Sequence, residues 1–297
     1  MSEDAQVTVP PRNSGAVQGD TASRSADEPL AGLATSRKPT LLISVRDKSL
    51  AVGKPLIAFV IALFIWQASV SFHVVPSIAV PPPGDVVTYI REHPGLLFSQ
   101  SWATLRIVLI SFAVASVSGG ILGILISQFR IIEESLMPLM VLIQVIPSVA
   151  IAPILVILLG YGALPKIATA TIIAFFPIVV NTLAGIKALD DDMYDLSRSL
   201  GARRVLRLRF FALPNSLPYV FAGIRISIAL SVIGTVVGEF VTADSGLGYL
   251  ILKGSGFLEP AQTFAALVFL AIIGIGLFFI VRATELIAIP WARRANA

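Results

Sequence analysis

The residues with the most pronounced chemical character lie between Asp195 and Pro214, in the sequence DLSRSLGARRVLRLRFFALP. This segment joins two strongly apolar stretches and carries the densest positive charge in the chain, at Arg198, Arg203, Arg204, Arg207 and Arg209. It contains no general-acid pair, no metal-ligand spacing and no nucleophile elbow. The chemistry that it offers is therefore recognition of a negatively charged surface, either a membrane or an acidic groove on a partner. On charge alone, a simple membrane anchor is an equal alternative.

The same segment has a helix-end signal at its centre. Leu200-Gly201-Ala202 follows a run of helix-forming residues, and a glycine in that position is typical of a helix stop. Basic and apolar side chains then mix as far as Leu213-Pro214. The pattern predicts a short helix, a turn at Gly201 and a second, amphipathic helix.

Several kinds of chemistry are excluded by residue type. The chain has no cysteine, so disulfides, thiolate metal sites and cysteine nucleophiles are impossible. Its two histidines, His73 and His93, fall in one loop, which disfavours a histidine metal centre. The closest fragment to a phosphate-binding G-x-x-x-x-G-K-[ST] motif is Gly53-Lys54-Pro55, which lacks the hydroxyl residue and the upstream glycine. We therefore expect a chain that is not an enzyme and binds neither ATP nor a cofactor itself.

The elements that must position these residues are apolar helices. The chain is 56% hydrophobic and 13% charged, and its mean hydropathy is +0.86. Crossing roughly 30 Å of hydrocarbon takes about 20 helical residues, and six stretches qualify: 55–74, 102–127, 136–159, 164–186, 217–241 and 263–283. The sequence therefore predicts an all-α polytopic membrane protein with about six transmembrane helices.

The domain limits follow from composition. Residues 1–50 are poor in large apolar side chains, which predicts a disordered tail rather than a signal peptide. Residues 51–290 form the membrane domain, with the basic loop at 187–216, and residues 291–297 form a short C-terminal tail. The tight sequence GYGALPK at 160–166 predicts a turn between the third and fourth helices.

Orientation follows from the distribution of lysine and arginine. Fifteen basic residues lie in the tails and in the loops that share their side, against three (Arg91, Lys166 and Lys253) in the other loops. The positive-inside rule then places both termini and the 187–216 loop in the cytoplasm. The proline-rich segment 75–101 becomes an outer loop.

Candidates for a solute path are the few polar or ionisable residues within the apolar segments. They are Gln144, Ser148, Asn181, Arg225 and Glu239. The first three accompany Pro147, Pro153 and Pro177, which we expect to interrupt helices three and four, and Arg106 lies near the start of helix two. For each residue a structural explanation stays open: an ordinary kink, a snorkelling arginine, or a glutamate bonded to a neighbouring backbone. The small residues Ser116, Gly119, Gly120 and Gly123 favour helix packing over a pore.

The segment 195–214 resembles the cytoplasmic EAA loop of binding-protein-dependent ABC transporter permeases. Asp195, Leu196 and Ser197 stand in place of the E-A-A triplet, which they match at no position, whereas Gly201 and Ala212-Leu213-Pro214 match in type and spacing. The runs at 146–153, 175–182, 217–225, 236–240 and 246–251 are similar to the branch that imports nitrate, sulfonates and taurine. Those at 165–167 and 217–225 look closer to members assigned thiamine-precursor pyrimidines or other small heterocycles.

The resemblance implies a type I importer permease fold in a bacterial inner membrane, with a coupling helix between helices four and five. It assigns ATPase coupling to Asp195, Leu196, Ser197, Leu200, Gly201, Ala202, Arg203, Leu213 and Pro214. It also implies a second permease copy, two ATPase subunits that bind ATP and Mg²⁺, and a periplasmic or lipid-anchored binding protein, with no nucleic acid. The rivals are an ion-coupled secondary transporter, for which Glu239 is a loose candidate carboxylate, and a membrane-embedded enzyme, for which no catalytic set is visible.

Overall fold

A computed structural model describes residues 57–72, 76 and 78–293 of the chain. Within these residues every regular element is helical. The expectations for the tail 1–50 and for His73 fall outside the described residues, as does most of the tail 291–297. Of the segment 55–74, the structure leaves residues 55, 56, 73 and 74 undescribed.

The helices follow one another closely along the chain. They are α1 (Ile57–Ser71), α2 (Pro83–Glu92), α3 (Pro94–Gln128), α4 (Arg130–Val145), α5 (Ser148–Leu159), α6 (Ala163–Lys187), α7 (Asp191–Ser199), α8 (Arg204–Arg207), α9 (Leu213–Thr242), α10 (Leu247–Gly256) and α11 (Pro260–Ala288). A π-helical turn, Leu208–Ala212, makes α8 and α9 one continuous run. A short 3-10 turn, Pro290–Arg293, follows α11.

Four helical runs among the described residues are long and apolar enough to cross a membrane. They are α3, α6, the run Arg204–Thr242 and α11. A fifth span is possible if α4 and α5 count together, and α1 is a shorter apolar helix. Each of the six predicted apolar segments is therefore mainly helical where the structure describes it. The second helix begins at Pro94 and not near 102.

The predicted interruption of the segment 136–159 at Pro147 is confirmed. The segment belongs to two helices, α4 and α5, which meet at an angle of 96°. The break lies at Ile146 and Pro147, because the proline ring forces the preceding residue into an extended conformation, and Ile146 has ψ 123°. Pro153 and Pro177 were also expected to interrupt their helices, but both lie inside continuous helices. A single proline removes only one N–H, and α6 is supported by packing along its length.

The centre of the fold is α6, which packs against α3 on one side and α9 on the other. Glycines allow these close approaches: a Cβ on Gly234 of α9 would lie 2.6 Å from the Ala170 Cα, and one on Gly123 of α3 would lie 2.8 Å from the Thr182 Cβ. In α3, Gly119 and Gly123 both face α6, whereas Gly120 meets no heavy atom within 4 Å. The predicted packing role of this small-residue face is confirmed for the two glycines that touch α6.

The order of these contacts sets the helix directions. Gly223 meets Asn181 while Gly238 meets Lys166, so α9 runs antiparallel to α6. Gly119 of α3 meets Ile178 and Gly123 meets Thr182, so α3 runs parallel to α6. The bundle therefore has a basic end, where α3 and α6 finish and residues 187–212 lie, and an opposite end, which holds residues 243–247 and α10. We use these two names below.

Candidate functional site

The helix α7 at the basic end contains the first residues to which the resemblance assigns coupling, from Asp195 onward. Three aspartates, Asp190, Asp191 and Asp192, stand at its start, where negative charge is favourable beside the positive end of the helix dipole. Its other end is closed by two backbone bonds: the Gly201 amide donates to the Arg198 carbonyl at 2.9 Å, and the Ala202 amide donates to the Ser197 carbonyl at 3.0 Å. This is a Schellman cap, which needs a left-handed residue at its bend.

Gly201 is that residue, with φ +68°. The left-handed region is strained for residues with a side chain and free for glycine. A Cβ at this position would meet no heavy atom within 4 Å, so the requirement is for backbone conformation and not for space. The predicted helix stop at Gly201 is confirmed, and the second helix, α8, starts three residues later.

The outward face of α7 is available for contact. Ser197 is its one buried residue, and the Ser197 hydroxyl donates to the Tyr194 carbonyl at 2.6 Å. Leu196 and Leu200 are 50% and 69% exposed, and Asp195 is exposed beside them. The Arg207 guanidinium lies 4.3 Å from the centre of the Tyr194 ring, which holds α7 to α8. Asp195, Leu196 and Leu200 therefore form an exposed acidic and apolar ridge on a helix that the Arg207–Tyr194 contact holds in position.

The remaining coupling candidates lie along the following helix. Arg203 caps α8, and Leu213 and Pro214 are the first residues of α9. In a regular α-helix the Pro214 ring would clash with the carbonyl of the residue four positions earlier. The π-helical turn Leu208–Ala212 falls where that clash would occur and widens the helix there.

Glu239 lies at the opposite end, completely buried. Its Oε1 accepts a hydrogen bond from the Thr104 hydroxyl at 2.8 Å, and its Oε2 accepts one from the Gly248 amide at 2.7 Å. The Leu247 amide donates to the Thr104 oxygen at 2.8 Å, and the Gly246 amide donates to the Gln100 side-chain oxygen at 2.6 Å. The carboxylate therefore ties α9, α3 and the start of α10 together.

A lysine completes this cluster from α6. The buried Lys166 ammonium donates to the Asp244 carboxylate, and to the carbonyl and hydroxyl of Ser245 at 3.1 Å each. Burial alone would raise the pKa of Asp244, but the hydrogen bond and positive charge of Lys166 outweigh it and hold the pKa below its ordinary value. Sequence reasoning counted Lys166 as a loop charge, because nothing local connects it to a partner 78 residues away.

The other path candidates are spread over the bundle. Arg225 of α9 pairs with Glu285 of α11, with the Arg225 Nε 3.4 Å from a carboxylate oxygen. The Asn181 amide donates to the Pro177 carbonyl of its own helix at 2.8 Å. Gln144 is exposed near the end of α4, and Ser148 begins α5, so these two flank the 96° bend. Of the five candidates, Glu239 lines a cavity of about 220 Å³ at the opposite end, with Arg106 and Lys166.

Comparisons with known proteins agree on the kind of chain this is. A family model described as a binding-protein-dependent transport system inner membrane component matches residues 115–293. The formylaminopyrimidine transport permease protein ThiX of Halalkalibacterium halodurans is 34% identical over 242 residues, which cover 81% of this chain and 96% of that protein. The taurine transport system permease protein TauC of Escherichia coli is 26% identical over 253 residues, covering 83% and 90%.

A solved structure supports the architecture. The inward-facing MetNI methionine ABC transporter matches with a TM-score of 0.52 and 21% identity, over 63% of this chain and 95% of that chain. At this identity the match concerns the fold alone. The predicted fold class and the resemblance drawn from the sequence are both confirmed.

Proposed function

The chain belongs to the binding-protein-dependent transport system inner membrane components and is a multi-pass permease subunit of an ABC importer; we propose that it works as a homodimer docked on two ATPase subunits. The ATPases bind ATP and Mg²⁺, and a periplasmic or lipid-anchored binding protein delivers the solute. Both termini lie in the cytoplasm, since the positive-inside rule places the basic end on that side.

The observation that supports ATPase docking is the geometry of α7. Its exposed Leu196 and Leu200 form an apolar ridge beside Asp195, and the arginine of α8 that stacks on Tyr194 keeps the helix in place. A helix of this kind fits an apolar groove on a partner, in the manner of helix-in-groove recognition. The turn at Gly201 lets the chain leave such a groove abruptly. ATP-driven closure of the partner pair then moves α7 and, through the continuous run Arg204–Thr242, the membrane helices.

The solute that we favour is a small heterocycle of the pyrimidine class. The relative whose name gives a formylaminopyrimidine is 34% identical to this chain, against 26% for the taurine permease at similar coverage. A sulfonate or taurine-like anion is the second candidate. In either case Gln144, Ser148, Asn181, Arg225 and Glu239 are the residues that we propose along or beside the path, although Glu239 meets protein donors in this structure.

The test is purification of the tagged chain in a mild detergent, followed by reconstitution with what copurifies. An ATPase with a phosphate-binding motif, recovered in equal amount, supports the proposal. Uptake of formylaminopyrimidine rather than taurine, dependent on ATP and on the binding protein, supports the solute. A chain that transports in liposomes without any ATPase contradicts the proposal and favours an ion-coupled carrier.

A further inference from the structure

A cavity of about 470 Å³ lies beneath the coupling helix at the basic end. Its walls come from the ends of α3 and α6, from α7, and from α8 with the turn after it. The polar residues that line it and matter here are Ser127, Gln128, Lys187, Asp191, Arg204 and Arg207. The cavity thus sits between the membrane bundle and the segment assigned to coupling.

The depth of the cavity follows from the helices that form it. Both α3 and α6 are long and apolar enough to span a membrane, and Gln128 and Lys187 are their last residues. A span ends where hydrocarbon gives way to lipid headgroups. The cavity therefore opens at headgroup level, where phosphate groups are concentrated.

The charge balance of the cavity favours an anion. Lys187 is already matched by Glu133, whose two carboxylate oxygens lie 2.5 Å from its ammonium. The Arg207 guanidinium lies 4.3 Å from the centre of the Tyr194 ring, and within the described residues it takes part in no salt bridge. Within the described part of the chain, Arg204 forms no salt bridge. The two positive charges of Arg204 and Arg207 therefore exceed the one negative charge of Asp191, the acidic residue of the lining.

The helix that supplies these arginines also has apolar side chains in the open. Val205, Leu206 and Phe210 are 75%, 46% and 61% exposed, and the Arg209 guanidinium lies 5.6 Å from the centre of the Phe210 ring. Large apolar residues interleaved with arginines are typical of a helix that lies in a membrane interface. A water-soluble partner would have to cover the apolar residues, whereas a bilayer covers them at the depth already inferred.

We propose that this cavity binds the phosphate of an anionic phospholipid headgroup, held by charge-assisted hydrogen bonds from Arg204 and Arg207. Such bonds are the stronger kind in proteins, and basic pockets on the cytoplasmic side are a known form of lipid recognition. Because Asp191 and Tyr194 of α7 form part of the wall, an occupied cavity holds the coupling helix against the bundle. The proposal concerns a lipid site and holds whichever solute is transported.

The experiment is a titration of the purified, delipidated full chain in detergent with phosphatidylglycerol, with phosphatidylcholine of the same acyl chains, and with inorganic phosphate. Native mass spectrometry measures the bound lipid, and the thermal unfolding midpoint measures its effect. We expect phosphatidylglycerol to bind and to raise the midpoint, and phosphatidylcholine to do neither. Arg204→Gln should weaken this binding about fivefold and the double variant with Arg207→Gln about thirtyfold.

Arg209→Gln is the matched control, since it removes the same charge from the same helix but does not line the cavity. It should change the affinity by less than about twofold. The single variant Arg204→Gln controls for misfolding of the double variant. Within the described residues Arg204 makes no contact with an aromatic ring, whereas Arg207 contacts Tyr194. Three results would each overturn the proposal. Arg209→Gln could weaken lipid binding as much as Arg204→Gln does, inorganic phosphate alone could raise the unfolding midpoint as much as phosphatidylglycerol does, or the double variant could bind the lipid unchanged. The last result together with weaker ATPase copurification would assign the arginines to a protein partner instead.

Discussion

The hydroxyl of Thr104 and the carboxylate of Glu239 lie 2.8 Å apart, which joins α3 to α9 across 135 residues of sequence. The same carboxylate accepts the Gly248 amide in the first turn of α10. Glu239 therefore satisfies a helix start that would otherwise leave buried N–H groups without partners. Its environment is made of protein donors on both carboxylate oxygens.

Replacing Glu239 tests the strength of this link. Glu239→Ala strands the Thr104 hydroxyl and the Gly248 amide, and each stranded donor costs roughly 1–3 kcal/mol. We expect a loss of stability of about 2–6 kcal/mol, with a smaller loss for Glu239→Gln, whose single oxygen can still accept one bond. The thermal unfolding midpoint in detergent measures both. A midpoint unchanged in Glu239→Ala would contradict the role.

The partner residue allows a matched comparison. Thr104→Val preserves shape but removes both the donor to Glu239 and the acceptor of the Leu247 amide, so it should also destabilise the protein. Thr284→Val is the control, because the Thr284 hydroxyl donates at 2.7 Å to the Val281 carbonyl within its own helix. Equal effects of the two substitutions would show that threonine loss, and not this link, is responsible.

Sequence patterns located the apolar segments and the turn at Gly201 because these are local signals. A run of apolar residues or a glycine after a helix carries its meaning within a few positions. The contacts of Glu239 and Lys166 depend on residues far away in the chain, so no local pattern could reveal them. The 96° bend at Pro147 was anticipated as a kink, but its size depends on how α4 packs on α3 and how α5 packs on α6 and α9.

A second prediction concerns the close approach of α6 and α9. A Cβ on Gly234 would lie 2.6 Å from the Ala170 Cα, which is backbone that cannot move aside without the whole helix. Gly234→Ala should therefore destabilise the bundle by about 1–3 kcal/mol, the usual cost of overpacking. Gly120→Ala, where a Cβ meets nothing within 4 Å, is the control. The unfolding midpoints of the two variants are measured in detergent. An equal fall in both, or no fall in Gly234→Ala, would refute the packing argument.

A third prediction concerns acid pH and Asp244. Lys166 holds the pKa of Asp244 below its ordinary value, despite the opposing effect of burial. The carboxylate therefore adds stability that is complete above the unfolded value of about 3.9 and is lost as the pH falls toward the folded value. Asp244→Asn should lower the unfolding midpoint at pH 7 and flatten its dependence on pH below about 4.

The control for that measurement is Asp192→Asn, which removes an exposed carboxylate from α7 without touching Lys166. The unfolding midpoint of Asp192→Asn should change with pH in the same way as that of the unsubstituted chain. If Asp244→Asn keeps the full acid dependence, the Lys166 contact does not contribute to acid stability.

The last prediction separates backbone conformation from side-chain bulk at Gly201. With φ +68° and no heavy atom near a future Cβ, a substitution meets strain but no clash. Gly201→Val should destabilise the turn after α7 by about 1–2 kcal/mol and distort it. Asparagine adopts the left-handed region more readily than valine does, so Gly201→Asn should preserve the turn. Both variants should fold, because the strain lies outside the packed bundle. ATP-driven uptake by the reconstituted importer should fall in Gly201→Val and persist in Gly201→Asn. Equal uptake by the two variants would mean that the Schellman cap of α7 plays no part in coupling.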